Sequence, residues 1–190
     1  MRWLRLRIFI AVDVEDPLLV QALDRVKDLV VSTGVPMKPV ESHNYHITLR
    51  FIGEVDRGLV DEIVETVLKP LEARRFRIHF KGLGAFPGPY RPRVVWVGVD
   101  EGAEELKAIR YKLEEGLRGL GVKPDPKGFE PHLTIARVKG SRNIHALARL
   151  IEQYRDYDFG WMTVESVRLK KSTLTRSGPI YETLYEAKTV

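Results

Sequence analysis

Two rhythms of apolar and polar positions alternate along this chain, one of period two and one of helical spacing, with no low-complexity linker between them. Residues 6–14 (Leu-Arg-Ile-Phe-Ile-Ala-Val-Asp-Val) are rich in β-branched side chains and predict a strand. Asp16-Pro17 then opens a helical pattern to about residue 31, with Leu19, Val20, Leu23, Val26 and Val30 at helical spacing, and Gly34-Val-Pro36 ends it. A second strand is expected over 45–51, broken by Gly53. Asp56 can cap a helix running to about Lys69, where Pro70 stops it. Strands follow at 76–81 and 94–99, separated by a Gly- and Pro-rich loop over 82–92 in the manner of a long hairpin. A helix over 103–120 closes at Gly121 and Pro124, a strand spans 132–138, and another helix spans 143–154. Strands at 159–170 and 180–187, joined by a loop at 172–179, finish the chain.

Within this order lies a faint internal repeat. A helix precedes and a helix follows Glu41-Ser-His-Asn-Tyr-His46-Ile-Thr48-Leu, and the same order surrounds Phe129-Glu-Pro-His132-Leu-Thr134-Ile. Two such units predict an α+β fold of two lobes related by a pseudo-twofold axis, each a small antiparallel sheet backed by helices. Half of 190 residues buries too modest a core to stand alone, so a single domain over 1–190 is expected.

Composition narrows the function. No apolar run approaches the roughly 20 residues of a membrane-spanning helix. The opening Met1-Arg-Trp-Leu-Arg-Leu-Arg is basic, but the stretch after it soon reaches Asp13, too short and too charged for a signal peptide. There is no cysteine, which removes thiolate nucleophiles and cysteine zinc sites, and the expectation is a cytoplasmic protein. The net charge of +5 and a sequence pI near 9.4 favour a polyanionic partner. Asn44, Asn143, Gln21 and Gln153 are the only side-chain amides, a scarcity that resembles proteins of hot environments.

The chemistry lies in the repeated tripeptide. On a strand, residues i and i+2 share a face, so His46 and Thr48 point one way while Ile47 and Leu49 point to the core. His132 and Thr134 behave identically, with Leu133 and Ile135 behind them. Two imidazoles flanking a phosphate can act as general base and general acid, and threonine hydroxyls can donate to phosphoryl oxygens as charge grows. A strained substrate such as a ribose 2′,3′-cyclic phosphate would then need no metal. One His-x-Thr arises by chance in a chain of this length with a probability on the order of a few tenths; two copies with matching aliphatics fall to roughly one in a thousand. Arg137 would offer the phosphate a forked, permanent cation. Simple alternation puts it on the opposite face from His132 unless a bulge turns it back, and otherwise it is a surface cation at a strand end.

Other features weigh less. His43 and His46 form a His-x-x-His pair that would suit a metal on a helix, but extended structure makes the rings diverge. His79 and His145 read as ordinary surface residues. Gly82-Leu-Gly84 lacks the ending of a phosphate loop. Phe86 can stack a base at a cleft rim or anchor the hairpin loop. Arg74, Arg75, Arg91, Arg93, Lys170, Lys171 and Arg176 are candidates for a backbone-binding track or for a solvated surface.

Asn44-Tyr-His-Ile-Thr-Leu-Arg-Phe-Ile-Gly53, Pro131-His-Leu-Thr-Ile-Ala-Arg137 and Lys171-Ser-Thr-Leu-Thr-Arg-Ser-Gly-Pro-Ile-Tyr-Glu182 together resemble the two-histidine phosphoesterase superfamily. The bacterial and archaeal RNA 2′,3′-cyclic phosphodiesterases, long called 2′-5′ RNA ligases, are most similar, with an archaeal flavour in the last motif. The resemblance spans nearly the whole chain; Tyr45, often Phe in relatives, is a minor departure. It implies a bilobal fold with one motif from each lobe facing across a central cleft. It also implies cofactor-free hydrolysis of a terminal 2′,3′-cyclic phosphate to a 2′-phosphomonoester, with weak reverse 2′-5′ ligation. By position it makes His46 the proton donor to the leaving 3′ oxygen and His132 the base that activates water, with Thr48, Thr134 and Arg137 holding the phosphate. The expected partner is RNA with a cyclic phosphate end, tRNA fragments among the candidates, acted on by a monomer. Competing readings are a basic RNA-binding module without chemistry, and a related enzyme acting on a small cyclic nucleotide, an ADP-ribose cyclic phosphate or a 2′-5′ oligonucleotide.

Overall fold

The computed structural model describes residues 5–190, so the first four residues of the basic opening lie outside the described part. Nine strands form one curled antiparallel sheet. They are β1 (Leu6–Asp13), β2 (Met37–Pro39), β3 (His46–Val55), β4 (Phe76–Phe86), β5 (Val94–Val99), β6 (His132–Val138), β7 (Asp158–Val164), β8 (Ser166–Thr175) and β9 (Gly178–Lys188). Four helices pack on the sheet: α1 (Pro17–Ser32), α2 (Arg57–Ile63), α3 (Ala103–Gly119) and α4 (Ile144–Gln153). This is an α+β architecture. Among the described residues no helix is long and apolar enough to cross a membrane.

The local signals behave as their chemistry requires. Asp16 accepts from the backbone N–H groups of Leu18 and Leu19 at 3.1 and 3.0 Å, with Pro17 opening α1. Asp56 does the same for Leu59 at 3.0 Å, and past Ile63 the helix widens into a π turn over Val64–Leu68. Elsewhere the strands outrun the sequence reading. Gly53 does not break β3: a bulge skips Ile52 beside it, and pairing resumes between Ile8 and Gly53, which takes a φ of 99°. The expected loop at 82–92 is strand over its first five residues, because β4 continues through Gly82-Leu-Gly84 to Phe86. The single strand expected at 159–170 is two, divided at Glu165. The loop at 172–179 shrinks to a tight turn at Arg176-Ser177 between β8 and β9.

The order of the sheet is β7-β4-β5-β6-β3-β1-β8-β9, with β2 also on β6. Its two halves meet at β3 and β6, where Ile47 pairs with Leu133. Along this path each half has four strands: β4 to β7 follow one another in the chain, with β2 added on β6, whereas β1 and β3 are joined by β8 and β9 from its other end. After β3 and α2, β4 joins β5 in the far half, and β8 likewise crosses to β1. The helices exchange too: α1, which follows β1, packs on β7 and β6, while α3, which follows β5, packs on β3. Helices and sheet bury one core that includes Leu23, Ile47, Leu49, Leu106, Leu113, Leu133 and Ile135.

Candidate active site

Continuing the Ile47–Leu133 register by one residue each way sets His46 opposite Thr134 and Thr48 opposite His132. Each imidazole therefore stands beside the other motif's hydroxyl, about a local twofold through the central pair. All four residues line one cleft of about 300 Å³ on the face of the sheet opposite the aliphatic core.

The two rings are held alike. His46 Nδ1–H donates to the Asn44 carbonyl at 2.7 Å, and His132 Nδ1–H donates to the Glu130 carbonyl at 2.6 Å. A carbonyl can only accept, so the proton sits on Nδ1 in each neutral ring and Nε2 faces the cleft as an acceptor. Thr48 Oγ1 lies 3.1 Å from His46 Nε2. Phe9 and Tyr181 flank the His46 ring at 5.1 and 5.3 Å; Phe86 and Trp96 flank His132 at 5.0 and 6.1 Å. This packing desolvates both imidazoles, and burial pulls both below the ordinary histidine pKa of 6.5, with the charge of Arg137 adding to it at each ring.

The turn that supplies the Asn44 carbonyl is itself braced. One carboxylate oxygen of Asp24, on α1, accepts from Ser42 Oγ at 2.6 Å, Tyr45 Oη at 2.8 Å and Lys27 Nζ at 2.9 Å. Against burial, these three donors hold the Asp24 carboxyl below the usual range. The Asn44 side chain reaches the other way and donates to the Pro179 carbonyl on β9 at 3.3 Å, tying the β8–β9 hairpin to the same turn.

Arg137 joins the site through the bulge that alternation alone lacks. Val95 pairs with Ala136 but Trp96 with Thr134, so Ile135 is skipped, and Ile135 and Ala136 are buried in succession. The phase flips and Arg137 returns to the His132 face, where it lines the cleft. The first motif carries the same bulge at Leu49, between Thr48 and Arg50. Arg110 donates to the Leu49 carbonyl exposed there, and Phe51 takes the place equivalent to Arg137.

Other expectations are corrected. His79 is not an ordinary surface residue: it is 8% exposed and wedged between Asp100 and Asp158, with its ring nitrogens 2.7 and 2.9 Å from their carboxylates. Lys170 is buried and ion-paired to Asp13 at 2.6 Å, and Lys171 pairs with Glu182 at 3.1 Å, so neither is free for a backbone track. Phe86 is the last residue of β4, and its ring packs on Trp96 and His132. His43 lines the cleft from a short 3₁₀ turn, and among the described residues no group of three or more metal-ligating side chains comes together. Sequence reading missed Lys38, Tyr181 and the Gly178-Pro179 start of β9, all of which line the cleft. Only the third motif, Lys171 to Glu182, pointed to the last two.

Comparison with known proteins agrees across sequence and structure. The 2′-5′ RNA ligase superfamily model matches residues 16–173. An RNA 2′,3′-cyclic phosphodiesterase of Aeropyrum pernix is 53% identical over 170 residues, covering 90% of this chain and 96% of that protein. One of Archaeoglobus fulgidus is 42% identical over 179 residues, covering 94% and 98%. A Thermus thermophilus crystal structure superposes with a TM-score of 0.79 at 26% identity, over 96% of this chain and 97% of that one. Escherichia coli LigT in complex with 3′-AMP shares the fold, with a TM-score of 0.75 at 18% identity over 98% and 99%.

Proposed function

The chain belongs to the 2′-5′ RNA ligase superfamily, and on that footing we propose that it hydrolyses terminal 2′,3′-cyclic phosphates of RNA to 2′-phosphomonoesters, without a metal. The observation that carries this reading is the paired geometry: two imidazoles, each with Nδ1 committed to a main-chain carbonyl, present Nε2 to one cleft beside two threonine hydroxyls and an arginine.

In this mechanism the cyclic phosphate sits between the rings, its anionic oxygens taking hydrogen bonds from Thr48 and Thr134 and the fork of Arg137. His132 Nε2 removes a proton from a water as the water oxygen bonds to phosphorus. The bond from phosphorus to the 3′ oxygen breaks on the opposite side, and His46 Nε2 delivers a proton to that oxygen. The phosphate remains on the 2′ oxygen. His132 leaves the step protonated and His46 neutral, the state that would drive ring closure in reverse; ligation, with an RNA 5′-hydroxyl in place of water, starts as hydrolysis does from neutral His132 and protonated His46. The donor and acceptor roles rest on the family resemblance, since the local twofold makes the two rings nearly equivalent. The proposal extends to a single-domain monomer acting in the cytoplasm on RNA ends such as those of tRNA fragments.

The test is turnover of a cyclic-phosphate-ended RNA in the presence of a chelator, with the product resolved as 2′- or 3′-phosphate. Wild-type protein is expected to release only the 2′-phosphomonoester. His46→Ala and His132→Ala should each lose roughly two to four orders of magnitude in rate. Near-normal turnover by either variant, or salt-sensitive RNA binding with no turnover by the wild type, would defeat the reading.

A further inference from the structure

The proposed chemistry uses Arg137 but leaves the cation opposite it unexplained. Lys38 faces Arg137 directly across the β2–β6 ladder, and both line the cleft. Directly opposed residues of an antiparallel pair share a face and lie close together, so two like charges there repel and cost stability. Among the described residues neither cation has an ion-pair partner, in contrast to Lys170 and Lys171 on β8. The cleft lining contains one carboxylate, Glu41, against the cations Lys38 and Arg137. Two unneutralised cations in register, in a cleft already fitted for one phosphate, are what a ligand with two anionic groups would stabilise.

The position of Lys38 separates it from the reacting phosphate. The β2–β6 ladder continues from Lys38–Arg137 to Pro39–Ala136, and the Val40 N–H donates to the Ile135 carbonyl at 2.8 Å before the turn that leads to His46. Since His46 stands opposite Thr134, the Lys38–Arg137 pair lies three β6 residues further on, up to about 10 Å along the strand. The longer Arg137 side chain brings its charge to bear on both cleft imidazoles, whereas the His132 ring feels no such charge from Lys38. That offset suits the next phosphodiester of a polynucleotide better than the one between the histidines. The β8–β9 turn also leaves the ammonium its room. Gly178, at a φ of 138°, approaches so closely that a Cβ there would lie 3.3 Å from Lys38 Nζ.

We propose that Lys38 binds the phosphodiester linking the terminal nucleotide to its 5′ neighbour, so that the cleft selects the end of an RNA chain over a mononucleoside 2′,3′-cyclic phosphate. Arg137 serves the reacting phosphate and Lys38 the one before it. The inference rests on the functional reading above, which supplies the first phosphate.

Three substrates test it: a trinucleotide with a 2′,3′-cyclic end, the same with an uncharged methylphosphonate at its last internal linkage, and the mononucleoside cyclic phosphate. Lys38→Met is expected to lower the trinucleotide-to-mononucleotide ratio of kcat/KM about tenfold, mainly through KM. The neutral linkage should cost the wild type a similar factor and cost Lys38→Met almost nothing, because both remove the same contact. Lys38→Arg should keep the preference. Equal losses on all three substrates, or additive losses for variant and methylphosphonate, overturn the proposal. A parallel arm measures anisotropy of a labelled trinucleotide ending in a 2′-phosphate, with and without the methylphosphonate. It decides the role of Lys38 even if no substrate turns over, an outcome that would sink the functional reading alone.

Discussion

Each cleft imidazole gives one ring nitrogen to a main-chain carbonyl, and its protonation equilibrium then depends on what surrounds the other. Burial among Phe9 and Tyr181, or Phe86 and Trp96, disfavours the charged ring, and Arg137 disfavours it further, so both histidines of the free protein titrate below 6.5. The proposed reaction needs one ring protonated and one neutral. Because both free-protein pKa values are depressed, that state is most populated on the acid side of 6.5, between two apparent values that belong to the pair. The expected pH profile of kcat/KM is therefore a bell centred below pH 6.5. The profile of kcat should have its alkaline limb at higher pH, since the bound phosphate anion favours the protonated donor. A kcat/KM optimum above pH 7 would contradict this account of the site. At this scale the sequence was informative for a simple reason: strand alternation places His46 with Thr48 and His132 with Thr134 whatever the remainder does. It failed for His79 and Lys170, whose carboxylate partners Asp100, Asp158 and Asp13 come from other strands or loops. No local pattern announces such partners.

Between residues and fold stand the bulges and breaks that decide which way a strand's side chains face. The bulge at Ile135 turns Arg137 into the cleft, and its counterpart at Leu49 turns Phe51 to the equivalent place, where Arg7 stacks on it at 4.7 Å. Neither bulge has a glycine to mark it, so the register that sets the site was not legible in the sequence. The extension of β4 was hidden by the opposite error, since Gly82 and Gly84 suggested a loop. Gly84 instead lies under the Trp96 ring, whose atoms come within 2.3 Å of where a Cβ on Gly84 would be, and this lets the indole reach His132. The edge pairing of β4 with β7 carries its own pH dependence. His79, on β4, is stacked on Trp161 of β7 and bridges Asp100 and Asp158. Burial works against its charge, but the two carboxylates outweigh it and raise its pKa above 6.5. A raised folded-state pKa means stabilisation that is complete below the unfolded value and fades as pH climbs through the folded one. His79→Gln should thus lower Tm most below about pH 6 and progressively less at alkaline pH, with each kcal/mol lost worth ~2–4 °C in a chain of this size. Melting curves of both proteins at pH 5.5 and 8.5 check it; a gap of equal size at both, or one that widens with pH, contradicts the ion-pair account.

The molecule as a whole is two exchanged halves, and that exchange bears on how it unfolds. The repeat was visible in the sequence because both copies place the same chemistry on the same face of a strand flanked by helices. The exchange was not visible, because β4 and β8 are ordinary amphipathic strands and nothing within them specifies which half receives them. In the fold, β4 pairs with β5 and β8 with β1, while α1 and α3 each back the half that the other's preceding strand belongs to. Cutting the chain at its midpoint thus takes strands from both sheets and parts each sheet from a helix that backs it, and the core through Ile47 and Leu133 is shared at the seam. A lobe built this way has no stable state of its own to populate, since its sheet and its helical cover come from segments on both sides of the midpoint. Calorimetry is expected to show one transition, with van't Hoff and calorimetric enthalpies agreeing, at pH values on either side of the histidine range. Two resolved transitions, or a folded fragment ending near the midpoint, would mean that the halves are independent. In that case the cleft between them would be an interface free to open, and the facing imidazoles would owe their geometry to closure by substrate instead of to the fold.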